Sequence, residues 1–173
     1  MNPEAKSHMI QPGFVQTMAA YNSEMNRRLY GAAARLPEEM RKSPEGAFWH
    51  SIHGTLCHIL WGDCAWMSRF AGWPALKAGM KESATFIDDF ETLQEARQEA
   101  DAGIEAWAAK LTQDWLDGDL TWFSGSAGRE LTHPRGFLVA HLFNHQTHHR
   151  GQAHALITAA GEKTGDTDLF LVV

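Results

Sequence analysis

The chain is poor in cysteine: its 173 residues include two, Cys57 and Cys64. On one helix, residues seven apart share a face but stand ~10 Å apart along the axis. That spacing excludes a disulfide within the helix, and the reading is two reduced thiols. Long apolar runs are also lacking. None reaches the roughly 18 residues that signal a membrane-spanning helix. Positive charge is scarce and scattered, with 15 Lys and Arg against 21 Asp and Glu and a formal net charge of −6. Nucleic-acid binding depends on cations that neutralise phosphates, so neither DNA nor RNA is an expected partner. The N-terminal MNPEAKSHM carries no apolar core of the secretory-signal kind. These absences together point to a cytoplasmic protein.

What is present reads as globular. Hydrophobic residues make up 44% and charged residues 21%, ordinary values for a folded chain. The length suits one domain, 1–173, with a full-sized core. Seven tryptophans mark a solid core or an interface; Trp61, Trp66 and Trp122 are read as packing residues.

Helical periodicity organises the sequence. Phe14, Met18, Tyr21, Met25, Leu29, Ala32 and Leu36 recur every three or four positions, predicting a helix over 14–36 that Pro37 ends. Ser51 is placed to cap a second helix running to about Phe70, apolar on most sides. Residues 75–87 look irregular and are expected to cross the end of a bundle. Asp88 and Glu91 resemble a capping box ahead of a third helix through Phe90, Leu93, Ala100, Ile104, Trp107 and Leu111. Leu120–Phe123 and Glu130–Thr132 read as a short hairpin around SGSAG. Pro134 is expected in the first turn of a fourth helix that runs to about Ala160, with Gly161 as its stop. The terminal DLFLVV is expected to pack down. The fold class is therefore all-α: an antiparallel four-helix bundle with a long crossover between the second and third of these helices.

The fourth helix poses the chemical question. Five of the ten histidines lie between His141 and His154. His145 and His149 sit one helical turn apart on one face, as do His141 and His145. An i, i+4 imidazole pair can reach one metal ion, as in H-E-x-x-H proteins. Here Gln146 occupies the place of that glutamate. An amide cannot serve as the carboxylate base, which disfavours a protease of that type. Leu138, Leu142, Phe143, Ala153, Leu156 and Ile157 define the helix's apolar arc. At about 100° per residue, His149 falls ~40° from the middle of that arc and His145 ~80°, whereas His141 and His148 fall ~120–140° away. His145 and His149 are thus the inward pair, and His148 a surface or interface residue. Gln146 and Arg150 also point at the arc, an odd core unless they line a polar pocket or a subunit interface. A third ligand must come from another helix. The second helix offers His50, His53 and His58, and periodicity leaves His53 and His58 as rivals.

Three stretches, SIHGTLCHILWGD (51–63), HLFNHQTHHRGQ (141–152) and the closing GDTDL (165–169), resemble the DinB family over almost the whole chain. The resemblance implies a four-helix bundle, usually dimeric, that holds a divalent ion on three histidines. These match His58, His145 and His149, so the resemblance selects His58 on the second helix. Zinc or nickel is the expected ion, with iron and manganese also suited to imidazole. Some relatives transfer low-molecular-weight thiols such as bacillithiol or mycothiol, and one related branch is a mycothiol-dependent isomerase. The implied activity is thiol transfer through a metal-activated thiol, with a small thiol or electrophile as partner. A metal-dependent hydrolase and a non-enzymatic metal-binding stress or interaction protein are the alternatives. His53, Asp63, His141 and Gln146 are candidates for a base or for supporting the ligands; Arg150 and Gln152 are expected to tie helices or subunits together.

Overall fold

The computed structural model describes residues 9–44 and 46–173. Most of the N-terminal stretch read for a signal core, residues 1–8, lies outside them. Four long helices dominate: α1 (Pro12–Arg35), α3 (Ile52–Phe70), α4 (Phe90–Ala108) and α6 (Arg135–Ala159). Helix α1 packs on α4 and α6, and α3 packs on α6 and α4, so the four close a bundle. Short elements fill the connections: α2 (Glu38–Arg41), α5 (Gln113–Asp117), strands β1 (Asp119–Ser124) and β2 (Arg129–Pro134), and α7 (Leu169–Val172). Among the described residues no helix is long and apolar enough to cross a membrane.

Local chemistry explains the boundaries. Pro12 occupies the first turn of α1, so that helix opens two residues earlier than the apolar repeat suggests. Ser51 caps α3 as expected, its Oγ accepting the Gly54 N–H at 2.9 Å. At α4 the cap is Asp89 and not Asp88: Asp89 Oδ2 accepts the Thr92 N–H at 2.7 Å and its hydroxyl at 2.8 Å, while Asp88 meets Lys42. Pro134 ends β2 and precedes α6, so it stands just outside the first turn. The antiparallel hairpin pairs Asp119 with Pro134 and Ser124 with Arg129. Gly161, at φ +95°, follows α6 and supplies the left-handed residue that commonly ends a helix.

The link after α3 does not cross the end of the bundle. It returns along the side of α3, and its only regular piece is a 3₁₀ turn at Met80–Glu82. The Ala78 carbonyl accepts from Trp61 Nε1 at 2.8 Å, Ser83 meets His58, and the Ile87 carbonyl meets His53 and Cys57. Side chains of α3 thus anchor the link at three successive heights. The tail also departs from expectation. Phe170 is 79% exposed and Leu171 59%. Polar side chains of α1 hold the segment before α7 by its backbone: Tyr21 donates to the Thr167 carbonyl and Arg28 to that of Asp166. The core is already closed by the long helices, which leaves the apolar tail outside.

The core has two apolar halves. One gathers Leu29, Tyr30, Leu56, Ile59, Leu93 and Ile157; the other gathers Val15, Met67, Ile104, Leu142 and Phe143. On each long helix, buried polar residues gather near the junction of the two halves: Asn22 and Asn26 on α1, Asp63 on α3, Arg97 and Asp101 on α4, Gln146 and Arg150 on α6. Arg97 meets Asp63 at 2.6 Å and Asp101 at 2.8 Å. Gln146 donates to Asp63 at 2.7 Å, and Asn26 donates to Asp101 at 2.9 Å. Burial pushes the Asp63 carboxyl up, against the pull of Arg97 and Gln146. Burial raises Asp101 to about 6 against the same guanidinium. Burial also works against the Arg97 charge, but Asp101 and Asp63 overcome it and hold the guanidinium ionised.

Candidate metal centre

The three histidines converge at the contact between α3 and α6. His58 comes from α3, and His145 and His149 come from successive turns of α6. Their ring centroids stand 5.1 Å (58–145), 4.6 Å (58–149) and 4.5 Å (145–149) apart. One nitrogen from each ring lies within 4.8 Å of the other two. Such an approach needs a bare backbone opposite, and Gly62 provides it: a Cβ there would stand 2.7 Å from His145 Cε1.

The nitrogen positions suit a shared cation. His58 Nε2 and His145 Nε2 are 3.2 Å apart. Two imidazole nitrogens on one tetrahedral zinc at ~2.0–2.1 Å stand ~3.3 Å apart. Two of the three outer nitrogens are occupied in the way ligand histidines require. His149 Nδ1 lies 2.7 Å from Gln152 Oε1. An amide oxygen only accepts, so the proton sits on Nδ1 and Nε2 keeps its lone pair. His58 Nδ1 meets the Ser83 hydroxyl at 2.9 Å. His145 Nδ1 is buried with no hydrogen-bond partner among the described residues.

Electrostatics hold the rings neutral. Burial first, and then the neighbouring imidazoles, bring His58 down from an ordinary 6.5 to about 3. The same causes bring His145 to about 3. Burial lowers His149 as well, partly offset by its bond to Gln152. Neutral imidazole is the form that binds metal, so the donor set fits a divalent ion without a preceding deprotonation. No fourth histidine, cysteine or carboxylate joins the group among the described residues.

A family model described as the DinB family matches residues 9–172. The chain belongs to the DinB family. Protein DinB of Bacillus subtilis (strain 168) is 26% identical over 164 residues, covering 91% of this chain and 92% of that protein. A DinB-like protein from Bacillus cereus ATCC 10987, known from its crystal structure, superposes with a TM-score of 0.64 at 22% identity, over 89% of this chain and 95% of its own. That likeness shows that the DinB fold is shared.

The other candidate residues of this DinB chain go elsewhere. His53 Nε2 donates to the Ile87 carbonyl at 2.8 Å, and its ring lies 6.1 Å from that of Phe90. It therefore serves the link and stays outside the histidine cluster. Asp63 accepts from both Gln146 and Arg97 in the polar layer, and among the described residues neither Asp63 nor Gln146 hydrogen-bonds a histidine. His141 flanks the cluster, its ring 6.1 Å from His145 and 5.3 Å from Trp66. Arg150 lies over Tyr21 at 5.4 Å and ties α6 to α1, whereas Gln152 supports His149 within its own helix. Ser83 escapes periodicity because it lies in an irregular segment. The rule that a ligand histidine needs a partner on its second nitrogen was the one signal that called for a residue such as Ser83. Cys57 and Cys64 are unpaired thiols, pushed by burial to about 12 and about 11.

Proposed function

We propose that this DinB chain is a metal-dependent transferase that activates a small thiol for attack on an electrophile. The observation that carries the reading is the set of three neutral imidazoles with no fourth protein donor among the described residues. Catalytic zinc sites use three protein ligands and leave a position open, whereas structural sites take four. His58, His145 and His149 would hold the ion, zinc or nickel first among the metals that imidazole suits. Bound there, a divalent ion would lower the pKa of a thiol, or of water, that reaches it.

The chain's own residues do the rest. Gln152 fixes the tautomer and orientation of His149, and the Ser83 hydroxyl meets the outer nitrogen of His58. Burial keeps the imidazoles unprotonated near neutral pH, so they act as ligands and do not shuttle protons. The sulfur–carbon bond forms as the electrophile's leaving group departs with its electron pair, and the thiol proton passes to solvent. The proposed setting is the cytoplasm, where small thiols are kept reduced. The proposed working unit is a homodimer, which sedimentation reads directly.

Metal analysis by mass spectrometry, on untagged wild type and His58→Ala, tests the centre. About one ion per chain, lost in the variant, is the expected result. Stoichiometric metal in His58→Ala or His145→Ala refutes the ligand set. Thiol transfer is tested separately by following bacillithiol consumption with a haloaromatic electrophile. A loaded protein that leaves the thiol untouched but hydrolyses esters would move the reading to a hydrolase.

A further inference from the structure

We infer that Trp49 is a positioning residue for the metal centre: its indole fixes the plane of the His58 imidazole, and a strained turn fixes the indole. The inference rests on the three-histidine reading above.

The two rings are stacked, with centroids 3.7 Å apart and planes 16° from parallel. The indole also stands edge-on to His149 at 6.2 Å. Trp61 is also near parallel to His58 but 6.0 Å away, so Trp49 makes the closer contact. His58 needs such a guide. Its outer nitrogen is held by a serine hydroxyl alone, and a hydroxyl rotates to follow the ring. A flat surface at stacking distance removes that freedom.

The backbone is bent to deliver the indole. The Ser51 N–H donates to the Trp49 carbonyl at 2.9 Å, which closes a three-residue turn around His50. His50 has φ +69° and is the one non-glycine residue with positive φ among those described. That turn form is rare and strained, and such strain persists only where the surroundings impose it. Gly54, in the first turn of α3, is part of the arrangement: a side chain there would run into the Trp49 carbonyl oxygen. The Trp49 Nε1–H is buried and has no hydrogen-bond partner among the described residues. Buried indoles usually find one. Here the stack, and not a hydrogen bond, is what the position secures.

The test separates flatness from bulk. Metal-free wild type, Trp49→Phe and Trp49→Leu are titrated with Zn²⁺ against a chromophoric chelator, with circular dichroism confirming that each is folded. Phenylalanine keeps a flat ring while giving up the second ring and an N–H that has no partner among the described residues. Leucine fills space without a plane. The expected result is wild-type-like affinity for Trp49→Phe and a roughly 10- to 100-fold loss for Trp49→Leu, the range for residues that orient a ligand. Gly54→Ala should reproduce the leucine loss with the indole chemically intact. If Trp49→Leu binds Zn²⁺ as tightly as wild type, Trp49 is packing and the inference falls while the metal centre stands. If wild type binds no Zn²⁺, the metal-centre reading falls and takes the inference with it.

Discussion

Replacing Asp63 with alanine should strongly destabilise the bundle. Asp63 is 0% exposed and Arg97 2%, and they meet at 2.6 Å. Truncating one partner of a buried pair costs about 3–5 kcal/mol, because the other charge is left without compensation. Arg97 keeps Asp101 at 2.8 Å, which places the charge term near ~3 kcal/mol, the low end of that range. The Gln146 amide also loses its acceptor, adding roughly 1 kcal/mol for a buried donor left unmet. The total is about 4 kcal/mol, a large share of the ~5–15 kcal/mol that stabilises a domain. Asp63→Asn keeps an acceptor and removes only the charge, so it should lose about half as much. Urea unfolding of the metal-free protein, followed by circular dichroism at pH 7.5, measures both. The midpoint should fall with little change in slope. If Asp63→Ala lies within ~1 kcal/mol of wild type, the layer does not carry a compensated buried charge and the reasoning above is wrong.

Three further outcomes follow from the site. Gly62→Ala should raise the intrinsic helix preference of α3 by up to about 1 kcal/mol, yet weaken Zn²⁺ binding by displacing His145; unchanged affinity in a calorimetric titration would show that the ring relaxes freely. Ser83→Ala and Gln152→Ala should each lower metal affinity by roughly 10- to 100-fold with the ligands intact, as read by competition with a chelator. The metal-free protein should lose stability as the pH falls from 6.5 towards about 3. His58 and His145 are neutral when folded but take up protons at about 6.5 when unfolded, so falling pH favours the unfolded chain through that window. Urea midpoints at pH 7.5, 5.5 and 4.5 check this. In His58→Gln the pH dependence should be shallower, and an identical profile would show that His58 does not contribute.

Much of the bundle was legible in the sequence because its long helices carry a 3.6-residue apolar period and clear end signals. Ser51, Pro37 and Gly161 each stand where the chain turns. The inward direction of His145 and His149 followed from the same period. The second helix gave no such answer. It is apolar nearly all round, so neither His53 nor His58 stood out, and the link returning along it separates the two in space: Ile87 takes His53, while His58 turns to Ser83 and α6. No local pattern encodes a pairing between residues 25 apart, across the rest of α3 and the link that follows it. The polar layer was half visible. Gln146 and Arg150 read as out of place on the apolar arc, but their partners on other helices depend on the packing. The apolar tail misled, because composition reports what a segment prefers and not whether the core has room for it.

The two high-pKa thiols bear on where reactive sulfur would come from. With Cys57 and Cys64 held protonated far above neutral pH, the polypeptide has no thiolate of its own to lend. A sulfur chemistry run here would draw every nucleophile from solution. It would form no mixed disulfide with the protein and would turn over at a rate set by the concentration of the cellular thiol. Under oxidative stress such a catalyst would fall idle through loss of its co-substrate while its own side chains stayed intact, and it would resume as soon as the thiol pool recovered.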